Sequence, residues 1–387
     1  MNEPMEVSGT DSKTGYKNRS HNMNTDMSAE QRDNTKKERN PSIELLRIIS
    51  MLLIIAHHYV VNSGLIGGGP ISQNPTEFRA VFLMSYGAFG KVCINSFVFI
   101  TGYYMCKSDI TLRKFMKLFC EVMFYKIIIN SIFWITGYAP FTPKTFFYGI
   151  CPIINISTGF VSAYFLFFLS IPFLNTLIRN ISQRDHIKLI ALCSFTYIFL
   201  GTVKPWFSVT MNYVSWFIVV YFIASYVALY PKKIYQNCRL WALITVACIA
   251  LCLFTVIGSR LLWKGKNPYL FVSDSNAALA VLTGVSAFFL FKNIKIRRCN
   301  KIINRVAAST YGVLLIHANS DTMREWLWKT MLKNVEVYYK SWWYIHALLS
   351  PLVIFVICIC IDMLRIQFVE KPFFRVWDKH QRKKIAG

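Results

Sequence analysis

Apolar residues along this chain come in long runs parted by short polar segments, and those runs predict its elements. The first extends from Ile43 to Val61 and is interrupted only by Glu44, Arg47, Ser50 and the pair His57-His58. Runs of this kind approach the roughly 20 residues a helix needs to cross a hydrocarbon core. They predict helices at roughly 43–61, 82–104, 115–138, 160–178, 187–203, 213–230, 239–258, 274–291, 303–319 and 345–365, the ninth having the shortest continuous apolar part. The expected fold is all-α: a polytopic integral membrane bundle of about ten transmembrane helices.

Composition points the same way, since 54% hydrophobic and 16% charged residues over 387 positions is rare in a soluble chain. Residues 1–42 are polar, poor in aliphatics and rich in Asn, Ser, Thr, Lys and Glu, so they read as a disordered cytoplasmic tail. No apolar h-region precedes the first helix, which is expected to act as the signal anchor. Residues 43–374 read as one membrane domain and 375–387 as a basic cytoplasmic tail.

The net charge of +24 invites a nucleic-acid reading, and its distribution removes it. Basic residues concentrate in alternate loops: Lys36, Lys37 and Arg39; Lys107, Arg113 and Lys114; Arg179 and Arg184; Lys232 and Lys233; Lys292 to Lys301; and the C-terminal tail. The opposite loops hold few, Arg79, Lys144, Lys204, Lys264 and Lys266 among them. This is the positive-inside pattern, which places both termini in the cytoplasm. The longest outer connections, 62–79, 139–159 and 319–344, carry aromatic residues such as Phe146, Phe147, Tyr148, Trp326, Trp328, Trp342 and Trp343. These either anchor at the membrane interface or stack on a sugar. The eleven cysteines form no CxxC pair and no metal-ligand spacing, and read as small apolar packing residues. No metal is expected.

A charge at membrane depth is kept for a reason. Arg47 and His58 lie eleven residues apart on the first helix, which is about three turns, so they share a face and sit roughly 16 Å apart along the axis. His57 is rotated about 100° away. On the second helix Lys91 and Asn95 share a face, and Asn95, Ser96 and Thr101 serve either as interhelical glue or as substrate contacts. On the third, Lys117 and Glu121 read as an ion pair, while Lys126, four residues before Asn130, suits either a buried pair with Glu121 or Glu44 or a ligand contact. Trp216, Tyr221 and Tyr226 add polar edges to the sixth helix, and His317 ends the ninth as an interfacial side chain or a catalyst. Asp362 and Glu370 most simply pair with Arg365 and Lys371.

At these residues the chain resembles membrane-bound acyltransferase family 3. Arg47, ten residues and His58 reproduce the R-x10-H spacing of that family's first helix. Phe97, Thr101, Gly102 and Tyr103 fit its FF-x-x-SG-[FY] signature, with Thr101 in place of the usual Ser. The stretch from Ser309 to His317 is similar to its late S-x-Y-x-x-Y-L-x-H motif, with Leu314 replacing a Tyr, and Glu370-Lys371-Pro372-Phe373 looks like its E-K-P-F ending. The motifs run in the family's order from about residue 42 to 374; no stretch reads as its optional extracellular hydrolase-like module.

The resemblance implies a bacterial cytoplasmic-membrane O-acyltransferase. It would move an acyl group, usually acetyl, from acyl-CoA to a hydroxyl of a cell-surface polysaccharide or lipid-linked glycan, with polysaccharide-assembly proteins as partners. Acyl-CoA is then a donor substrate and no cofactor is resident. Arg47 would grip the donor near the cytoplasmic face, with Lys91, Arg113 and Lys114 adding positive charge for its phosphates. His58 would be general base or nucleophile, Lys91, Asn95 or Thr101 would polarise the thioester, and Asn95, Thr101, Lys126, Trp216 and His317 would contact the acceptor. A glycan flippase uses similar intramembrane charges and is the alternative. On this reading Arg47→Ala weakens use of acyl-CoA, measured as a raised KM for the donor; an unchanged donor dependence counts against that placement.

Overall fold

The structure is a computed structural model that describes residues 39–157, 159–203, 212–262, 269, 272, 274–296 and 300–386, with side chains described through 381. The expected tail falls outside the described residues up to 38, as do Lys36, Lys37, Lys204, Lys264, Lys266, Arg297 and Arg298 of the charge pattern.

Every described element is a helix or turn. The principal helices are α1 (Pro41–Val61), α2 (Phe78–Tyr86), α3 (Gly90–Met105), α4 (Leu112–Ile135), α5 (Phe160–Asn180), α6 (Gln183–Cys193), α7 (Tyr213–Leu229), α8 (Cys238–Leu262), α9 (Ala278–Asn293), α10 (Asn300–Ala308), α11 (Thr310–His317), α12 (Trp343–Arg365) and α13 (Lys371–Ala386). Each of the ten expected segments is helical, but they are not ten equal spans. Among the described residues, six stretches are long and apolar enough to cross a membrane: α1, α2 joined through a 3-10 turn to α3, α4, α5, α8, and α12 continued into α13. Helices α7 and α9 are shorter apolar helices. The segment beginning at α6 passes into a π-helical turn over Ser194–Phe199, and Ser309 divides α10 from α11. The molecule is a multi-pass membrane protein.

Local chemistry sets the boundaries. The first helix starts two residues earlier than its apolar run because Asn40 caps it, accepting from the Ser42 N–H at 3.0 Å, with Pro41 preset for the first turn. Thr111 caps α4 and Asn212 caps α7 in the same way. Pro172 and Pro351 lie inside α5 and α12, the first exposed and the second buried.

Helix α3 is central, packed against α1, α7 and α9. Gly102 lets it approach α7 closely: a Cβ there would come within 3.0 Å of the Ala224 Cβ and 3.2 Å of the Tyr221 Cα. Polar residues then lock the contact. Asn95 donates to the Ser275 carbonyl at 2.7 Å and accepts from the Trp216 indole at 2.9 Å. Tyr221 donates to Asn175, which itself holds the Met105 and Ser108 carbonyls. Exposed apolar residues line the outer faces of α8 (Leu243, Val246, Phe254) and α12 (Leu352, Val356, Ile357), as a lipid-facing surface requires. Trp328 and Trp343, expected at an interface or on a sugar, are instead buried, Trp328 edge-on to Tyr59 and Trp343 beside Phe82 and Arg79.

Near the junction of α12 and α13, Arg365 binds three carboxylates: Asp362 at 2.8 Å, Glu370 at 2.9 Å and Glu121 at 3.3 Å. The expected Lys117–Glu121 pair does not form. Glu121 turns inward to the guanidinium, and half-exposed Lys117 reaches Glu370 at 2.6 Å, while Lys371 bonds Gln367. Tyr125 donates to Asp362 at 2.7 Å. Arg365→Met leaves the buried carboxylates of Glu121 and Asp362 without their cation, while Glu370 keeps Lys117. It is expected to destabilise the bundle by about 3–5 kcal/mol, read as thermal unfolding in detergent; an unchanged transition would remove the network from the stability account.

Candidate active site

Helix α1 ends by presenting two adjacent imidazoles to one cavity of about 640 Å³, a size typical of small-molecule sites. The cavity forms where the last turns of α1, the start of α3 and the second half of α4 meet. The segment from 139 to 162 and the end of α11 with its following turn close it. It therefore borders the connections at 139–159 and 319–324, remote from the basic ends of α4 and α13.

The protonation of His58 follows from a chain of hydrogen bonds. The Nδ1 of His317 lies 2.7 Å from the Val313 carbonyl, which only accepts, so this nitrogen carries the proton. In a neutral ring the Nε2 of His317 is then an acceptor, and it lies 3.0 Å from the Nδ1 of His58. His58 must donate there. Its remaining nitrogen, Nε2, holds a free lone pair and has no protein partner among the described residues. A carbonyl, a histidine and a second histidine in series thus set one tautomer and one ring orientation. His317, expected to be an interfacial side chain, a catalyst or a substrate contact, is the residue that positions His58.

His57 is held in the same sense by a different carbonyl, its Nδ1 2.6 Å from the Gly87 oxygen. Its side chain packs against Gly90, the first residue of α3, and a Cβ there would overlap it. Sequence spacing set His57 apart from the Arg47 face, yet the cavity takes in both rings. No helical-wheel argument finds this, because the cavity is wider than one helix face.

Two ammonium groups complete the polar wall. Lys91 follows Gly90 on α3 and donates to the Tyr213 hydroxyl at 2.7 Å. Lys126 projects from α4 and has no hydrogen-bond or ion-pair partner among the described residues, so neither Glu121 nor Glu44 is its partner. Asn130, one turn on, ties α4 to the Gly149 carbonyl at 3.0 Å and to Asn319 at 3.3 Å, holding the outer connections over the cavity. Arg324 and Asp321 pair with each other at its rim.

The other expected residues lie elsewhere. Arg47 does not line the cavity; its nearest acid is Glu44, at 4.0 Å one turn earlier. Phe160, on the cavity wall, stacks on Tyr164 at 5.6 Å, and Tyr164 meets Tyr311 at 5.5 Å and the Thr101 hydroxyl at 3.1 Å. That aromatic layer leads from the cavity toward Arg47, and Thr101 belongs to it. Asn95 and Trp216 are buried and satisfy each other. Arg113 is engaged by Asp378 at 3.0 and 3.2 Å, and Lys114 by Ser108 and the Asp109 carbonyl, both at the far end of α4. Tyr213, Asn130 and Arg324 had no role in the sequence reading beyond position, because each enters the site through a tertiary contact.

The acyltransferase family 3 model, an acyltransferase domain, matches residues 40–363. The chain belongs to this family of membrane acyltransferases and is a transferase acting on acyl groups. No curated protein and no solved structure matches it.

The hydrogen-bond chain makes a spectroscopic prediction. In ¹⁵N-histidine spectra of the purified protein near neutral pH, His58 is expected as a neutral imidazole protonated at Nδ1. His317→Ala shifts the His58 signals and leaves those of His57 in place. A His58 protonated at Nε2 in the wild type contradicts the assignment.

Proposed function

We propose that this protein transfers an acetyl or similar acyl group from acyl-CoA to a hydroxyl of a cell-surface polysaccharide or lipid-linked glycan. The observation that carries the reading is the Val313–His317–His58 chain, which leaves a basic nitrogen on a residue of the cavity wall. In the step proposed, the His58 Nε2 takes the proton of the acceptor hydroxyl while that oxygen attacks the thioester carbon. The tetrahedral oxyanion lies within reach of the Lys91 ammonium. Its collapse breaks the C–S bond, and the coenzyme A thiolate recovers the proton from the imidazolium. The His317 lone pair stabilises that imidazolium through the Nδ1–H it already accepts.

The topology proposed with this chemistry has about ten crossings in a bacterial cytoplasmic membrane and both termini inside. The cavity, bordering the outer connections, then receives the glycan. The donor arrives from the opposite, basic side, drawn by exposed cations such as Arg113 and Lys114 and passing Arg47, and its acyl end reaches His58 through the Tyr164–Tyr311 layer. Polysaccharide-assembly proteins supply the acceptor.

Purified protein in nanodiscs, given labelled acetyl-CoA and candidate glycans, tests the proposal. Wild type is expected to consume thioester with acylation of a glycan. His58→Ala lowers turnover by about 10²–10⁴-fold with the protein still folded, and Lys91→Met lowers kcat by about 10²-fold. Movement of glycan with no thioester consumed would replace the enzyme with a flippase.

A further inference from the structure

The cavity carries more positive charge than acyl transfer needs. Among the described residues its wall holds Lys91, Lys126 and Arg324 against a single carboxylate, Asp321. Arg324 and Asp321 neutralise each other, which leaves two ammonium groups. Lys91, next to the glycine on which His57 packs, is placed for the oxyanion of the transfer step. Lys126 has no such use. It rises from a different helix, and Lys126, Asn130 and Trp134, spaced four residues apart, turn one face of α4 to the cavity. The nearest carboxylate on that helix, Glu121, is bound to Arg365 at 3.3 Å. Asn130, one turn on, spends its amide hydrogens on the Lys126 and Gly149 carbonyls and on Asn319.

An ammonium held at membrane depth without a counter-charge is unfavourable, and any occupant bringing a negative charge relieves it. The same part of the wall offers flat apolar faces at Trp134 and Tyr148, suited to the C–H face of a sugar ring. A sugar-stacking surface beside an uncompensated cation describes a subsite for a charged sugar. Resting on the acyl-transfer reading, we infer that Lys126 anchors an oxyanion of the acceptor, so that the glycan acylated here carries a carboxylate or a phosphate and is not neutral. The ammonium forms a charge-assisted hydrogen bond to that group while the hydroxyl to be acylated faces His58.

Full-length protein in nanodiscs, titrated calorimetrically with cellobiose, cellobiouronic acid and glucose 1-phosphate, tests this without acyl transfer. At least one charged probe is expected to bind about 10-fold more tightly than cellobiose, and the tighter of the two tells carboxylate from phosphate. Lys126→Met removes the preference and Lys126→Arg keeps it. The wild-type preference also shrinks from low to high salt, which serves if the methionine variant does not fold. Equal or undetectable binding of all three probes overturns the inference. So does a preference that survives Lys126→Met, or a Lys126→Met variant that loses acetyl-CoA binding instead. Thioester turnover is measured separately: an active enzyme without charge preference rejects only the role of Lys126, whereas no turnover rejects the acyl-transfer reading itself.

Discussion

Inside a membrane bundle a polar group has no bulk water to turn to, so it must be satisfied by the protein or by whatever the protein binds. This constraint sets two groups of polar residues in the chain apart. Asn95 with Trp216, Asn175 with Tyr221, and Arg365 with its three carboxylates close on themselves and hold helices together. The His58 Nε2 and the Lys126 ammonium do not, and both belong to the wall of the same cavity. The division is physical and needs no comparison with other proteins.

The satisfied set explains why the unsatisfied set stays in place. Helix α3 carries Lys91 at the cavity and Asn95 one turn on, so the bond that fixes α3 to α7 also fixes the depth of the ammonium. Helix α4 is held at one end by the Arg365 network through Glu121 and at the other by Asn130 on Gly149 and Asn319. Lys126 lies between those two anchors. Catalytic geometry must be held to fractions of an ångström, and here the rigid parts are the neighbours of the reactive ones on the same helices.

The arrangement also sets Arg47 apart from the two imidazoles. Cavity and imidazoles lie together, while Arg47 does not line that cavity. A guanidinium and an imidazole on one helix face are thus neighbours along the axis without sharing a chamber.

Much of this was legible in the chain itself. The apolar runs located every principal helix except α13, whose polar sequence gives no such signal, because a bilayer imposes length and hydropathy locally. The motifs around Arg47, Thr101 and His317 placed the family, and the intramembrane cations were conspicuous for their cost. Pairings were not legible. Glu121 answers to Arg365 and not to Lys117, Trp216 to Asn95 and not to a sugar, and His58 to a histidine 259 residues away. Helical spacing reports which residues share a face of one helix. Which faces meet, and so which nitrogen of His58 keeps its lone pair and which lysine is left without a partner, depends on packing between helices remote in sequence, and tertiary structure alone decides it.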